Sequence, residues 1–290
     1  MKANCDSTTL ASSGSKPPTS SDSRAAEALR TPLDGQRFFC SWGGGKDSCL
    51  SLYKAVQAGG IPAALITMMT EGGERSRSHG LRMDVIRAQA DALGIPLVTR
   101  SASWGTYEQV FREAVREFAG QGITTGVFGD IDLDEHLEWC VRVCGEAGAT
   151  AVHPLWKMDR MDAVREFLGA GFQAHIVAMK DGLGDGAATR SNSSDPGPGS
   201  DDGGTLGGVG GSAARSNGAG TDLLSLLGKP FDLHVVDLMV RHGIDACGEV
   251  GEFHTVVTGG PLFKKPLHLQ FGEPILRDGY WFVDAALQGP

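Results

Sequence analysis

The sequence has no CxxC pair, no apolar run long enough to span a bilayer and no excess of positive charge. Each absence removes a class of function. The six cysteines, at 5, 40, 49, 140, 144 and 247, are scattered, which fits neither a disulfide framework nor a zinc ribbon. Isolated thiols suit a reducing compartment, so the expected location is cytoplasmic. A spanning helix needs about 18 consecutive apolar residues, and without one no membrane partner is expected. Lysine and arginine total 26 against 35 aspartates and glutamates, a net charge of -9. No broad nucleic-acid surface is therefore expected. Residues 1–30 are rich in serine, threonine and proline with no apolar centre, and do not read as a signal peptide.

Glycine, by contrast, is abundant, and two concentrations of it mean different things. The first lies between a buried strand, Arg37-Phe38-Phe39-Cys40, and a helix whose Cys49, Leu52, Tyr53 and Val56 repeat at i, i+3, i+4, i+7. Gly43, Gly44 and Gly45 stand there, followed by Lys46, Asp47 and Ser48. Residues without Cβ let backbone N–H groups approach a bulky anion, and the helix start aims its dipole at the same spot. Lys46 adds a charge and Ser48 a hydroxyl, so the stretch reads as a phosphate cradle. It is not a Walker A loop, because Asp47 follows the lysine and Cys40 replaces the first glycine. Nor is it a dinucleotide fingerprint, which needs glycine where Ser48 stands.

The second concentration is Gly182 to Gly220, where 13 of 39 residues are glycine. Such a segment buries too little apolar surface to offset its ordering entropy, so residues 182–221 read as a flexible insertion. Residues 1–35 read as disordered on the same grounds. Between them, residues 36–181 alternate strand and helix. Ala63 to Met69 is an apolar run, Met83, Ile86, Ala90 and Leu93 form a helical stripe ending at Gly94, and Ile95 to Val98 starts a third strand. Tyr107 to Phe118 is a strong helical stripe. Gly126 to Gly129 is strand four, Leu133 to Cys144 helical, Ala151 to Leu155 strand-like, Met161 to Leu168 helical and Phe172 to Met179 an apolar strand. This order predicts an α/β fold built on a doubly wound parallel sheet. Residues 222–290 form a smaller α+β unit that leans on the first. Within it Phe231 to Val236 fits strand or helix, and Glu252 to Val257, Leu267 to Phe271 and Tyr280 to Val283 read as strands.

Gly44-Gly45-Lys46-Asp47-Ser48 resembles the S-G-G-x-D-S pyrophosphate loop of the ATP-pyrophosphatase superfamily, with Gly43 in the place of the first serine. The tail carries Gly248-Glu249-Val250-Gly251-Glu252-Phe253-His254-Thr255 and then Gly260-Pro261-Leu262-Phe263. With the loop at 41–48, with Gly129-Asp130-Ile131 and with His153-Pro154-Leu155-Trp156, these pieces resemble the diphthine–ammonia ligase family over most of residues 37–285. The resemblance implies a Rossmann-like nucleotide α-hydrolase fold and an ATP-dependent ligase. A substrate carboxylate attacks the α-phosphate, pyrophosphate leaves into the loop, and ammonia displaces AMP to form an amide. The implied partners are ATP, ammonia and a carboxylate acceptor, in this family a modified histidine on elongation factor 2. Gly43, Gly44, Gly45, Lys46, Asp47 and Ser48 are the expected ATP contacts. Asp47 and Asp130, both at C-terminal strand ends, are the expected Mg²⁺ ligands. Lys46, Asp130, Glu249, Glu252 and His254 are the expected catalytic residues.

Other readings compete with these. The same scaffold serves nucleotide α–β pyrophosphatases and tRNA-modifying enzymes, and a non-catalytic nucleotide-binding module would keep the same loop. Cys140 and Cys144, one turn apart on an apolar face, read as core thiols rather than metal ligands. Trp42 reads as packing rather than stacking on adenine. Arg75, Arg77 and His79 lie in a charged loop, open to phosphate, partner or solvent. For the insertion, replacing most of residues 182–220 by a short flexible linker should keep ATP affinity within about threefold, about 0.65 kcal/mol. A larger loss in calorimetric titration places the segment in the nucleotide site.

Overall fold

β1 (Arg37–Ser41) buries Phe38, Phe39 and Cys40 in succession. Side chains alternate between faces of a strand. Phe38 and Cys40 accordingly enter one apolar cluster and Phe39 another. A strand buried on both faces requires layers above and below it, and the computed structural model, which describes residues 32–183 and 223–289, has both. The expectations for residues 1–31 and 184–222 lie outside the described residues.

β2 (Ile61–Met69), β3 (Leu97–Ser101), β4 (Thr125–Val127) and β5 (Thr150–Val152) join β1 in a five-stranded sheet of order β3-β2-β1-β4-β5. Every pairing in it is parallel, as the doubly wound α/β reading requires. α1 (Lys46–Gln57) and α2 (Met83–Leu93) bury Leu52 and Ile86 on the Phe38 side, with α5 (Arg160–Gly169) contributing Phe167. α3 (Tyr107–Gly120) and α4 (Asp134–Glu146) cover the other face, where Phe118 stacks on Phe39 at 4.9 Å between ring centroids. Strand order reverses beside β1, since β2 and β3 lie to one side of it and β4 and β5 to the other. The loops after β1 and β4 therefore diverge and leave a crevice at the carboxyl ends of the strands. Among the described residues no helix is long and apolar enough to cross a membrane.

One strand departs from expectation. The apolar run at 172–179 forms β6 (Gln173–Lys180), but β6 is outside the parallel sheet. It pairs antiparallel with β7 (Phe253–Gly259) and β10 (Tyr280–Phe282), and β9 (Ile275–Arg277) completes a second sheet of order β7-β6-β10-β9. β5 has three residues and β7 has seven, so an eight-residue strand satisfies more of its backbone against β7. β8 (Leu269–Phe271) and β11 (Ala285–Leu287) form a separate antiparallel pair. The ambiguous stretch at 231–236 becomes α6 (Leu233–Arg241), because Asp232 caps it, its side chain accepting from Val235 N–H at 2.8 Å. Val236, Met239, Val256 and Val257 share one core with Leu52 and Ile86, so the tail is packed onto the first unit's own apolar face.

Gln89 sews this junction together. It is fully buried on α2, its Oε1 accepts from the Trp42 indole at 3.0 Å, and its Nε2 donates to Gly44 O at 2.9 Å and Val257 O at 2.7 Å. Gln89→Leu keeps the volume and removes all three bonds. The indole N–H and the Val257 carbonyl then stay buried without partners, at about 1–3 kcal/mol each. Urea unfolding should report a loss of roughly 2–6 kcal/mol on that basis. A loss below about 1 kcal/mol would mean that water reaches these groups.

Candidate active site

The glycine loop owes its shape to two close approaches. Gly44 has φ +82°, and a Cβ there would lie 2.7 Å from both Gln89 Oε1 and Leu81 Cδ1, so only glycine fits. Gly129, after β4, would place a Cβ 2.8 Å from Ser48 N, which brings the Asp130 loop against the start of α1. Gly45 is the N-cap of α1 and offers that helix no side chain. A cap arrives instead from β7: Thr255 Oγ1 accepts from Lys46 N–H at 3.0 Å, and Val257 N–H donates to Gly44 O at 2.9 Å. The C-terminal motif is thus docked on the glycine loop.

The charges gathered here are unequal in their surroundings. Lys46 is only 4% exposed. Its ammonium donates to Asp47 Oδ2 at 2.8 Å and to Cys247 O, and lies 5.1 Å from the Phe253 ring centroid. Burial is the largest single influence and opposes its charge, but the Asp47 carboxylate together with Cys247 and Glu249 holds the pKa above its ordinary value. Burial likewise pushes the Asp47 carboxyl up, with Lys46 pulling it back. Glu249 Oε1 accepts from Ile131 N–H at 2.9 Å. Burial, helped by the Asp47 and Asp130 carboxylates, raises Glu249 to about 7. Asp130 goes the other way. Burial would raise it, yet the imidazoles of His136, 3.1 Å away, and His153, 3.5 Å away, hold it well below the usual carboxylate range.

Two histidines line the loop. A Cβ on Gly43 or Gly45 would lie within 2.6 Å of the His79 ring, and that ring sits 4.7 Å from His254. Burial and the neighbouring Lys46 lower His254 to about 4, and burial with His254 and Lys46 lowers His79 well below the usual range. Both rings are neutral at neutral pH. Beside Gly43 a cleft of about 80 Å³ opens between Trp42, Thr67, Met68, Arg77, Trp104 and Tyr107.

Known proteins resemble both halves of this arrangement. The family model described as the diphthamide synthase N-terminal domain matches residues 36–151, and that of the diphthamide synthase C-terminal domain matches residues 215–287. The chain belongs to the diphthamide synthase family. Among curated relatives, the diphthine–ammonia ligase of Homo sapiens is 22% identical, the match covering 84% of this chain and 86% of that protein. The ligase of Danio rerio is 20% identical over 81% of this chain and 86% of its own. That of Schizosaccharomyces pombe is 24% identical over 78% of this chain but only 35% of its own. A solved structure of the U34-tRNA thiolase NcsA from Methanococcus maripaludis with its [4Fe-4S] cluster is 14% identical, with a TM-score of 0.32, covering 51% of this chain and 62% of that one.

In this chain the crevice brings together Gly43 to Ser48, Asp130, Glu249, His254 and Thr255. Glu252 stands apart. Its Oε1 accepts from Asp245 N–H at 3.4 Å and its Oε2 is buried without a hydrogen-bond partner among the described residues. Trp42 is packed, 1% exposed, as its apolar neighbours suggest. Arg75 is tied to Asp284 and Gly80 O, both at 2.9 Å, and Arg77 stacks 4.7 Å over Trp104. Cys144 is a core thiol, while Cys140, equally buried, also faces Asp130 at 4.0 Å. Gln89 and His136 escape a reading by motif, and His153 belongs to the His153-Pro154-Leu155-Trp156 piece without a role read for it. The one signal for Gln89 is a polar residue set within the Met83, Ile86, Ala90 and Leu93 stripe.

Glu249 gives this site a pH signature. Its folded pKa, about 7, lies above the ordinary 4.5, so ionisation costs the folded state more than the unfolded one. Stability from this group is therefore lost as pH rises through that window, and not as it falls. Glu249→Gln keeps an acceptor for Ile131 N–H and removes the ionisation. Its melting temperature should exceed that of wild type by a margin that grows as pH rises from about 4.5 toward about 7. A margin independent of pH would place this carboxyl in ordinary solvent.

Proposed function

We propose that the chain is an ATP-dependent ligase that activates a carboxylate as its adenylate and converts it to an amide with ammonia. The observation that carries this reading is the docking of the C-terminal motif on the glycine loop, which sets a near-neutral carboxyl, Glu249, beside a helix start built for phosphate. Family membership supports it. Diphthine, the acceptor in the relatives' names, is the first to test, presented on elongation factor 2.

In the first step an acceptor carboxylate oxygen attacks the α-phosphorus and the bond to the α–β bridging oxygen breaks. Gly43, Gly44, Gly45 and the N–H groups of α1 that follow Lys46, whose own N–H is held by Thr255, receive the departing pyrophosphate, whose charge grows as the bond lengthens. Lys46 keeps a full positive charge beneath the loop, and Ser48 offers its hydroxyl. We place the nucleoside in the cleft beside Gly43. In the second step ammonia adds to the acyl carbon, AMP leaves with its bonding pair, and Glu249 takes the proton that nitrogen gives up. A pKa near neutrality lets one carboxyl accept and release that proton. His254, neutral beside the loop, orients the acceptor. Glu252 holds the turn at 245–249 rather than meeting substrate.

Mg²⁺ needs oxygen donors and is usually shared between phosphates and one or two carboxylates. Asp47, 28% exposed at the loop, fits that role. Asp130 fits it poorly, because its neighbours are two imidazoles and a thiol. The cation supplies charge neutralisation at the phosphates.

Lys46→Ala should weaken ATP binding by at least roughly tenfold, about 1.4 kcal/mol. Ser48→Ala should weaken it less and leaves the buried Lys46–Asp47 pair intact should Lys46→Ala fold poorly. Glu249→Gln should bind ATP within about threefold of wild type, yet form amide on the order of 10²-fold more slowly. Glu252→Gln should form amide near the wild-type rate. AMP and pyrophosphate released only with acceptor and ammonia support the ligase. Acceptor-independent release makes the chain a hydrolase, and binding without any release makes it a nucleotide-binding module.

A further inference from the structure

The carboxyl ends of β4 and β5 hold a group of side chains that adenylation does not use. Asp130 follows β4, His153 follows β5, and α4 supplies His136 and Cys140, one turn apart and facing the same carboxylate. Asp130 Oδ2 lies 3.5 Å from His153 Nε2 and 4.0 Å from Cys140 Sγ. One donor atom from each of Asp130, Cys140 and His153 falls within 4.8 Å of the others. His153 is 3% exposed and Cys140 4% exposed.

An ordinary hydrogen-bonded cluster accounts for only part of this. His136 Nδ1 meets Asp130 Oδ1 at 3.1 Å, a normal bond. Among the described residues neither ring nitrogen of His153 has a hydrogen-bond partner, although both are buried. A buried imidazole without partners is destabilising, and Nε2 points at a carboxylate from just beyond bonding reach. Donors held tetrahedrally at about 2.0–2.3 Å from a cation stand roughly 3.3–3.8 Å apart. Two of the separations, 3.5 and 4.0 Å, are close to that range, and the third, within 4.8 Å, closes to it by a movement of at most about 1 Å. The donor set also has a chemistry: imidazole and thiol favour zinc-class cations, and Mg²⁺ avoids both.

We propose that Asp130, Cys140 and His153 bind one zinc-class divalent cation, with His136 as a positioning residue that orients the carboxylate through its outer oxygen. Binding forms a sulfur–metal bond and releases the Cys140 proton to solvent. Three protein donors leave a fourth position for water. The site lies behind Gly129, the residue packed against Ser48 N, so the bound cation fixes the loop that faces the glycine cradle.

This does not rest on the ligase reading, and its test uses no nucleotide. The full-length chain, purified without a metal-affinity tag and stripped with chelator, is titrated with Co²⁺ and followed by absorption. One equivalent should bind with a thiolate-to-cobalt charge-transfer band, and Zn²⁺ should displace it. Cys140→Ser should abolish the band and Cys144→Ser should keep it. His136→Ala should lower affinity roughly 10–100-fold, as for loss of an orienting partner, and His153→Gln should lower it at least as much. If a variant folds poorly, wild type still decides the matter: Zn²⁺ should raise its melting temperature in a concentration-dependent way. Absence of saturable Co²⁺ binding, binding without the charge-transfer band, or a band that survives Cys140→Ser would each overturn the proposal.

Discussion

The structure depends on a helix start that its own N-cap cannot satisfy. Gly45 leaves room for the His79 ring, which a Cβ there would meet at 2.5 Å, and a glycine has no side chain with which to cap α1. The missing acceptor comes from Thr255, 209 residues away. Because β7 also bonds Gly44 O through Val257 N–H, and Gln89 clasps both chains, the loop is held from above and below. Removing β7 would expose donors inside a dry junction. The tail is therefore part of the glycine loop's own architecture.

The same junction sorts the carboxylates. Asp130 sits between imidazoles and stays ionised, Asp47 pairs with Lys46, and Glu249 is buried among like charges with one backbone donor. Three chemically similar groups thus acquire different proton affinities within one crevice. Divergent pKa values of this kind are how acid–base and electrostatic duties are separated in an active site. Neutral His79 and His254 against the loop keep the local positive charge on Lys46 and on the helix start, where a phosphate would use it.

Much of this was legible in the residues. The glycine loop needed only local chemistry to be read, because three glycines before a lysine and an amphipathic helix have few other uses. The parallel sheet followed from apolar runs alternating with helical stripes, since hydrophobic periodicity is a local property. The stretch at 231–236 fits strand or helix by its sequence, and the Asp232 cap seen in the structure decides for the helix at 233–241. β9 and β11 were missed, because each has three residues and carries no period of its own.

What the sequence by itself determined, then, was most of the elements, the glycine loop and the kinship of the two motifs. Only the tertiary structure decided which strands share a sheet, since an apolar run carries no mark of its partner and β6 pairs with β7 and β10 rather than β5. It alone separated Glu249 from Glu252, three residues apart in one motif, by turning one toward Ile131 N–H and the other toward Asp245 N–H. It alone joined Cys140, which reads as a core thiol on its helix, to Asp130 and His153. Proton affinity and ligation depend on distance and burial in three dimensions, and neither quantity is a function of spacing along the chain.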